Sequence, residues 1–279
     1  VRAAAARNLG MAWLLVLLLS AAFGGLGWLV ADLRGATLFA FCSVLAASGV
    51  YAFGDRILLG MLGARPVVVA EQPLLRSKVD RLAAQLRVRP PVLALISDGF
   101  PRAFVVGRGP QGSTLVVSSG LLGALSSEEL EAVLAHELAH VRRRDVLTQT
   151  FAVVLATTLL ELTRVGGWLS RALLAVLAPV ASAFTHLLLS EKRELAADAA
   201  AAALGDPHDL ADALLRLDRA SDLVSFESSV ATEPLYTVSP FDHTERVARM
   251  FVTHPPVEER VRRLRALGGA AGPTGSEAG

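Results

Sequence analysis

The sequence predicts an α+β protein, mainly helical and embedded in a membrane, with about four transmembrane helices and a soluble part that carries a small β-sheet. Three observations predict it. The 279-residue chain is 53% hydrophobic with a mean hydropathy of +0.49, too apolar for an ordinary soluble protein. The apolar residues are gathered into long uncharged runs. Between those runs lie amphipathic helical patterns and three short segments of strand character.

Residues 8–31 carry no charge, nor do residues 35–54, and Asp32-Leu33-Arg34 joins the two runs. Each is long enough to cross a bilayer as a helix, so residues 1–54 are predicted as a transmembrane hairpin. A cleaved signal peptide over 1–31 is the alternative, given Arg2 and Arg7 ahead of the apolar run. The run is long for a signal, and a second follows at once. Residues 72–89 read as an amphipathic helix on the stripe Leu75, Val79, Leu82 and Leu86, stopped by Pro90-Pro91. Residues 92–96, 103–106 and 114–118 read as strands separated by Gly and Pro turns. Ser126 and Glu129 have capping-box spacing, and Leu130, Val133, Leu134 and Leu138 continue from them as the buried face of a helix.

Two further uncharged runs, 146–160 and 172–190, predict a second hairpin; the first of them is short. His186 interrupts the second run and is expected to face the bundle interior, as intramembrane ionisable groups do. A helix over 209–220, a polar loop over 221–244, a basic helix over 256–267 and a disordered tail over 268–279 complete the chain. The predicted organisation is therefore a transmembrane hairpin (1–54), the first part of a soluble domain (55–145), a second hairpin (146–190), the second part of that domain (191–267) and a tail (268–279).

Arginine placement predicts the orientation. Arg2, Arg7, Arg56, Arg65, Arg142, Arg143, Arg144, Lys192 and Arg193 flank the long soluble regions, against Arg34, Arg164 and Arg171 in the short loops. The positive-inside rule then puts the N-terminus and both soluble parts in the cytoplasm of a multi-pass cell-membrane protein. A net charge of +1 and the lack of a basic patch interleaved with aromatics argue against a nucleic-acid partner. Cys42 is the single cysteine, so neither a disulfide framework nor a thiolate metal site forms within one chain.

The chemistry is concentrated in His136-Glu137-Leu138-Ala139-His140, the H-E-x-x-H pattern on a predicted helix. Imidazoles at i and i+4 share one helical face and can reach one ion, while Glu137 lies near enough to serve as a general base. With six histidines in 279 residues, chance supplies on the order of 0.006 such matches, so the motif outweighs coincidence. Two histidines do not complete a catalytic zinc site. The remaining candidates are His208, His243, His254 and, among acids, Glu194. Glu194 and Asp198 share a helical face at i, i+4, so Glu194 could bind the ion while Asp198 orients a histidine; an ordinary charged face is the alternative. Asp145, five residues after His140, either accepts a hydrogen bond from a ligand imidazole or is only a helix-end charge.

The residues also carry a resemblance. Two apolar helices lead into Pro101-Arg102-Ala103-Phe104 with Gly107-Arg108, then Ser118-Ser119-Gly120-Leu121-Leu122. The stretch from Glu128 to His140 follows, with Asp145, then Ser190 to Asp198, Gly205-Asp206-Pro207 and Thr253-His254-Pro255-Pro256-Val257-Glu258-Glu259-Arg260. In this combination the chain resembles HtpX-type membrane zinc metalloproteases, of the gluzincin superfamily that also holds the CAAX prenyl proteases. The resemblance implies a zincin-like cytoplasmic domain, one zinc per chain and the glutamate matching Glu194 as third ligand. It implies endoproteolysis of damaged or misassembled membrane proteins from the cytoplasmic side under stress, with polypeptide substrates, the lipid bilayer and other membrane proteases as partners. Where the family usually has Asn-Ala-Phe this chain has Arg102-Ala103-Phe104, which puts a substrate-backbone contact there in doubt. His254, set before Pro255-Pro256, is the candidate donor to a tetrahedral oxyanion. A CAAX-type processing enzyme usually has more membrane helices, and an antibiotic sensor would need an extracytoplasmic domain. A non-catalytic scaffold with a structural metal would have no need of Glu137.

Overall fold

The computed structural model describes residues 2–68, 71–161, 167–223 and 254–270. The predicted polar loop from residue 224 onward, the tail beyond residue 270, His243 and Arg164 lie outside the described residues. The fold is mostly helical with one small mixed sheet.

Helix α1 (Arg2–Met61) is two antiparallel arms. The backbone leaves helical geometry at Ala31 (φ −152°, ψ 41°) and Asp32 (φ 51°, ψ −141°), where the first predicted apolar run meets the Asp32-Leu33-Arg34 junction. Ser43 Oγ donates to Ser20 Oγ across the arms at 2.7 Å. A Cβ added to Gly27 would sit 2.2 Å from the Gly35 carbonyl oxygen, and one added to Gly35 would sit 2.0 Å from that of Gly27. Glycine at both positions is what lets the backbones touch just before the reversal. Gly27–Met61 is long and apolar enough to cross a membrane by length and composition, and Val146–Thr158 is apolar but shorter.

Strand β1 (Arg65–Pro66) leads to α2 (Pro73–Leu86). This helix ends before Pro90-Pro91, the predicted stop. Arg87 takes a left-handed conformation (φ 56°), and the N–H groups of Arg87 and Val88 bond back to the last turn. The three predicted strands form as β2 (Val92–Ile96), β3 (Ala103–Gly107) and β4 (Ser113–Ser118). The sheet order is β1-β2-β4-β3, with β2 parallel to β4 and the other pairs antiparallel. Strand β1 has no sequence signal, because two residues cannot show alternation and Pro66 reads as a breaker.

Both faces of the sheet are buried. Leu93, Leu95, Val105, Leu115 and Val117 join one apolar cluster with Leu75, Leu82, Leu134 and Leu138. Ala94, Ile96, Phe104, Val106 and Val116 join another with Leu58, Val153 and Val154. That is why the strands read as continuous apolar runs rather than alternating ones.

Helix α3 (Ser119–Ala124) is capped by Ser118. Helix α4 (Ser127–Arg143) begins at the predicted capping box: Ser126 Oγ accepts from the Glu129 N–H, and the Glu129 carboxylate accepts from the Ser126 N–H. Then follow α5 (Val146–Glu161), α6 (Gly167–Leu188), α7 (Glu191–Ala202), α8 (Pro207–Leu223) and α9 (Val257–Ala270). Pro207 starts α8 two residues ahead of its predicted start, in the position proline favours. Helix α9 continues three residues into the predicted tail.

His186 does not face the interior. Ala178, Ala181, Ser182, Thr185 and Leu189 form the buried stripe of α6. His186, four residues after Ser182, lies just beyond the edge of that stripe and is exposed.

The glycine contact between the arms of α1 sets a first test. Gly27→Val should destabilise the protein by about 1–3 kcal/mol through overpacking. Gly25→Val, where a new Cβ meets nothing within 4 Å, should lie within about 0.5 kcal/mol of the parent. Thermal unfolding of both variants in one detergent distinguishes them; equal midpoints would show that the arms do not depend on this contact.

Candidate metal centre

Helix α4 packs against α2, β3, α7 and α8, and from Val133 to Val141 it is buried on every side. It holds His136, Glu137 and His140 in its last three turns. Its end is closed by Arg144 in a left-handed conformation, whose N–H bonds to the carbonyls of His140 and Val141. That turn brings Asp145 back under the helix: its N–H bonds to the His140 carbonyl at 3.0 Å. Its carboxylate lies 3.6 Å from His140 Nδ1, a charge contact longer than a hydrogen bond. Arg143 Nε (3.1 Å) and Arg193 Nη2 (3.2 Å) hold that carboxylate, and Arg193 also donates to the Asp145 carbonyl at 2.9 Å.

Helix α7 supplies the other half. Glu194 sits in its first turn and Asp198 one turn later. Glu194 Oε2 lies 3.4 Å from His136 Nε2, and Oε1 lies 3.5 Å from His140 Nε2. The two imidazole Nε2 atoms are 3.3 Å apart, with the rings nearly perpendicular. Bonds of about 2.0–2.1 Å to a tetrahedral zinc require donor atoms roughly 3.3–3.4 Å apart. The two imidazoles meet that spacing, and Glu194 brings a different oxygen to each of them; taken as one atom per residue, the three donors lie within 4.8 Å of one another, and each residue can be deprotonated, so the set fits the ion.

Behind His136, Nδ1 lies 2.9 Å from Asp198 Oδ1, in a direction poorer than a good hydrogen bond's. Asp198 is gripped by Arg260 of α9, which donates from Nε to Oδ2 (2.8 Å) and from Nη2 to Oδ1 (2.7 Å). Arg260 is wholly buried. His254 Nε2 approaches Glu194 Oε2 at 3.5 Å. Glu137 is buried among the charges of His136, His140, Glu194 and His254.

The electrostatics follow from this packing. Burial pushes the Glu137 carboxyl up, and the neighbouring imidazoles only partly oppose it. Burial pulls His140 down, but the carboxylates of Glu194, Asp145 and Glu137 outweigh it and raise it to about 10. Burial pushes Asp145 up, yet His140, Arg193 and Arg143 hold it at about 2. Asp198 is likewise raised by burial and then drawn well below the usual carboxylate range by Arg260 and His136.

The structure thus gathers His136, Glu137, His140, Asp145, Glu194, Asp198 and His254. It leaves His208 apart, exposed and paired with Asp206. Arg102 is buried and donates to Asp98, and its backbone N–H donates to Ser118 Oγ, so it is engaged within the fold. Sequence reasoning gave no site role to Arg143, Arg193 or Arg260. Arg193 was legible as the neighbour of Glu194. Arg260 was not, since nothing local separates it from Arg262, Arg263 and Arg265 on the same helix.

Beside α4 runs β3, the last strand of the sheet. Ser118 N bonds to Arg102 O and Arg108 N to Gly112 O, so the even-numbered residues of β3 bond toward β4. Ala103, Val105 and Gly107 direct their backbone groups to the outer side, where Gly107 N–H is taken by Thr150 Oγ1.

Residues 69–268 match the model of peptidase family M48. The chain is 39% identical to the "Protease HtpX homolog" of Acidiphilium cryptum, over 93% of this chain and 96% of that one. It is 36% identical to the namesake in Pelotomaculum thermopropionicum (91% and 97%) and 35% to that in Pyrococcus abyssi (91% and 93%). Among solved structures, S. mikatae Ste24p shares the fold at a TM-score of 0.50 and 17% identity. That match covers 89% of this chain but only 62% of the Ste24p chain.

The Arg260–Asp198 pair generates a test that needs no metal. Arg260→Met leaves a buried carboxylate without its partner and should cost about 3–5 kcal/mol. Arg263→Met, at an exposed surface pair, should cost less than about 1 kcal/mol. Denaturant unfolding of both variants checks the contrast, and similar losses would refute a buried-pair role for Arg260.

Proposed function

From the premise that this chain belongs to peptidase family M48, as an HtpX-type membrane-bound metalloprotease, we propose that it is a zinc endopeptidase that cuts misfolded or damaged membrane proteins from the cytoplasmic side of the cell membrane. The observation that carries the reading is the convergence of His136, His140 and Glu194, whose donor atoms lie within 4.8 Å of one another, with Glu137 buried beside them. These three residues would hold one zinc per chain. When bound, the ion supplies Lewis acidity to the scissile carbonyl and to the attacking water.

The chain's own groups do the rest. Glu137 accepts the proton of the attacking water and returns it to the leaving amine. Its burial strengthens its hold on a proton, as a group that takes one and then gives it back requires. Asp198 and Asp145 occupy the Nδ1 sides of His136 and His140, which leaves each Nε2 lone pair for the ion. His254 reaches the same cluster from the segment before α9 and donates to the oxyanion. An extended substrate adds to the outer side of β3, where Val105 turns its backbone groups. Such binding reads main chain rather than sequence, which suits an enzyme for damaged proteins of many kinds.

The chain crosses the membrane four times in this reading: through the two arms of α1, then α5 and α6. Residues 1–54 and 146–190 are the hairpins, and residues 55–145 and 191–267 are the two parts of the protease domain. The reversal of α1 at Ala31–Asp32 and the arginine distribution support it. Asp32 and Arg34 then lie on the far side of the bilayer.

Two experiments test the proposal. Glu137→Gln should retain one zinc per chain by elemental analysis while casein cleavage falls roughly 10²–10⁴-fold. Glu194→Ala should lose the zinc as well as the activity; full zinc occupancy in that variant would remove Glu194 from the ligand set. For topology, reporters fused after Gly112 and after Gly268 should both read cytoplasmic, and an extracytoplasmic signal at either would overturn the two-hairpin arrangement.

A further inference from the structure

Several arginines of the chain are matched by a carboxylate. Arg76 pairs with Asp80, Arg81 with Glu131, Arg216 with Glu129 and Arg263 with Glu259. One corner departs from this. Arg87, Arg89, Arg142 and Arg144 line a shallow basin of about 450 Å³, together with Pro110 and Gln111, and no acidic residue lines it. Arg87, Arg89 and Arg142 are exposed, as is Arg144, and none of the four forms an ion pair among the described residues. Three separate segments bring them together: the end of α2, the turn between β3 and β4, and the end of α4.

A local explanation accounts for three of the four. Arg87 and Arg144 each follow a helix C-terminus in the left-handed conformation, a place where a cation is favoured. Arg142 also lies in the last turn of α4. That leaves Arg89, which ends no helix, and the convergence of all four on one basin at a cost in like-charge repulsion. The position supplies the missing counter-charge. Arg144 stands two residues before Val146, where α5 begins and the chain turns apolar. In the four-span reading proposed above, the basin lies at the foot of a membrane helix.

We propose that this basin binds the phosphate headgroup of an anionic phospholipid, and so seats the soluble part on the membrane surface beside α5. Guanidinium groups present planar donor forks that match phosphate oxygens, and basic pockets beside transmembrane helices are suited to such headgroups. The inference rests on the membrane-bound reading of the chain and is independent of the metal site.

The test uses the full chain in a zwitterionic detergent, titrated with phosphatidylglycerol and read by native mass spectrometry and by thermal shift. The basin variant combines Arg87→Asn, Arg89→Gln and Arg142→Gln; asparagine tolerates the left-handed backbone at position 87. A matched control, Arg262→Gln with Arg263→Gln and Arg265→Gln, removes the same charge from α9. The basin variant should bind phosphatidylglycerol roughly a hundredfold more weakly, from about fivefold for each arginine near the surface. The control should change binding by less than about threefold, since exposed charges beyond a Debye length are screened. Should the triple variant melt early without lipid, Arg89→Gln alone still gives a readable loss of roughly fivefold. Unchanged binding in the basin variants, or an equal loss in the control, overturns the proposal. Displacement of the lipid by equimolar inorganic phosphate also overturns it, as the mark of a free-anion site.

Discussion

Two imidazoles and a carboxylate held in the protein interior are the constraint around which the rest of this structure is arranged. His136, His140 and Glu194 converge with little water to screen them, and Glu137, Asp145 and Asp198 are buried within the same volume. Burial opposes every one of these charges. Arg260 and Arg193 answer from the interior side, each on a carboxylate that backs one histidine. The cluster is tolerable only because every carboxylate behind an imidazole has its own guanidinium. Neutral partners would leave buried charges unpaired.

This arrangement explains why helices far apart in the chain are needed to complete one small site. Helix α4 carries both imidazoles, α7 carries Glu194 and Asp198, and α9 carries Arg260. Rotation of α7 about its axis would withdraw the third donor and uncouple Asp198 from His136 together. The i, i+4 spacing of Glu194 and Asp198 makes those two contacts a single geometric event. The capping box at Ser126 and the left-handed turn at Arg144 fix where α4 starts and stops, and so where along its length the imidazoles stand.

The sheet ties this centre to the apolar helices α1 and α5. Its two faces bury separate apolar clusters, one shared with α2, α4, α8 and α9 and the other with α1 and α5. A sheet covered on both sides transmits position rigidly, because close-packed side chains have little room to yield. The link from α4 to α5 is two residues long, and Leu189, which packs on Phe151 of α5, lies just before α7. Both halves of the metal centre are thus anchored at the same end to apolar helices.

Local patterns already determined much of this in the sequence. The H-E-x-x-H helix and its capping box, the two apolar runs with their junction at Asp32, and the three strands all rest on contacts within a few residues. The pairing of Glu194 with Asp198 was legible as a helical face, and its assignment as a ligand came from resemblance. The tertiary structure alone decided which charges are internal. Arg260 and Arg263 lie on one helix in similar company, yet the first is wholly buried against Asp198 and the second is half exposed beside Glu259. The same holds for β1, which exists only because Arg65–Pro66 lies along β2, and for His186, whose orientation follows from the stripe of α6 that packs. Periodicity states which side of a helix is apolar. It does not state which distant carboxylate will meet an arginine, because that partner is set by packing between segments that the chain brings together only when it folds.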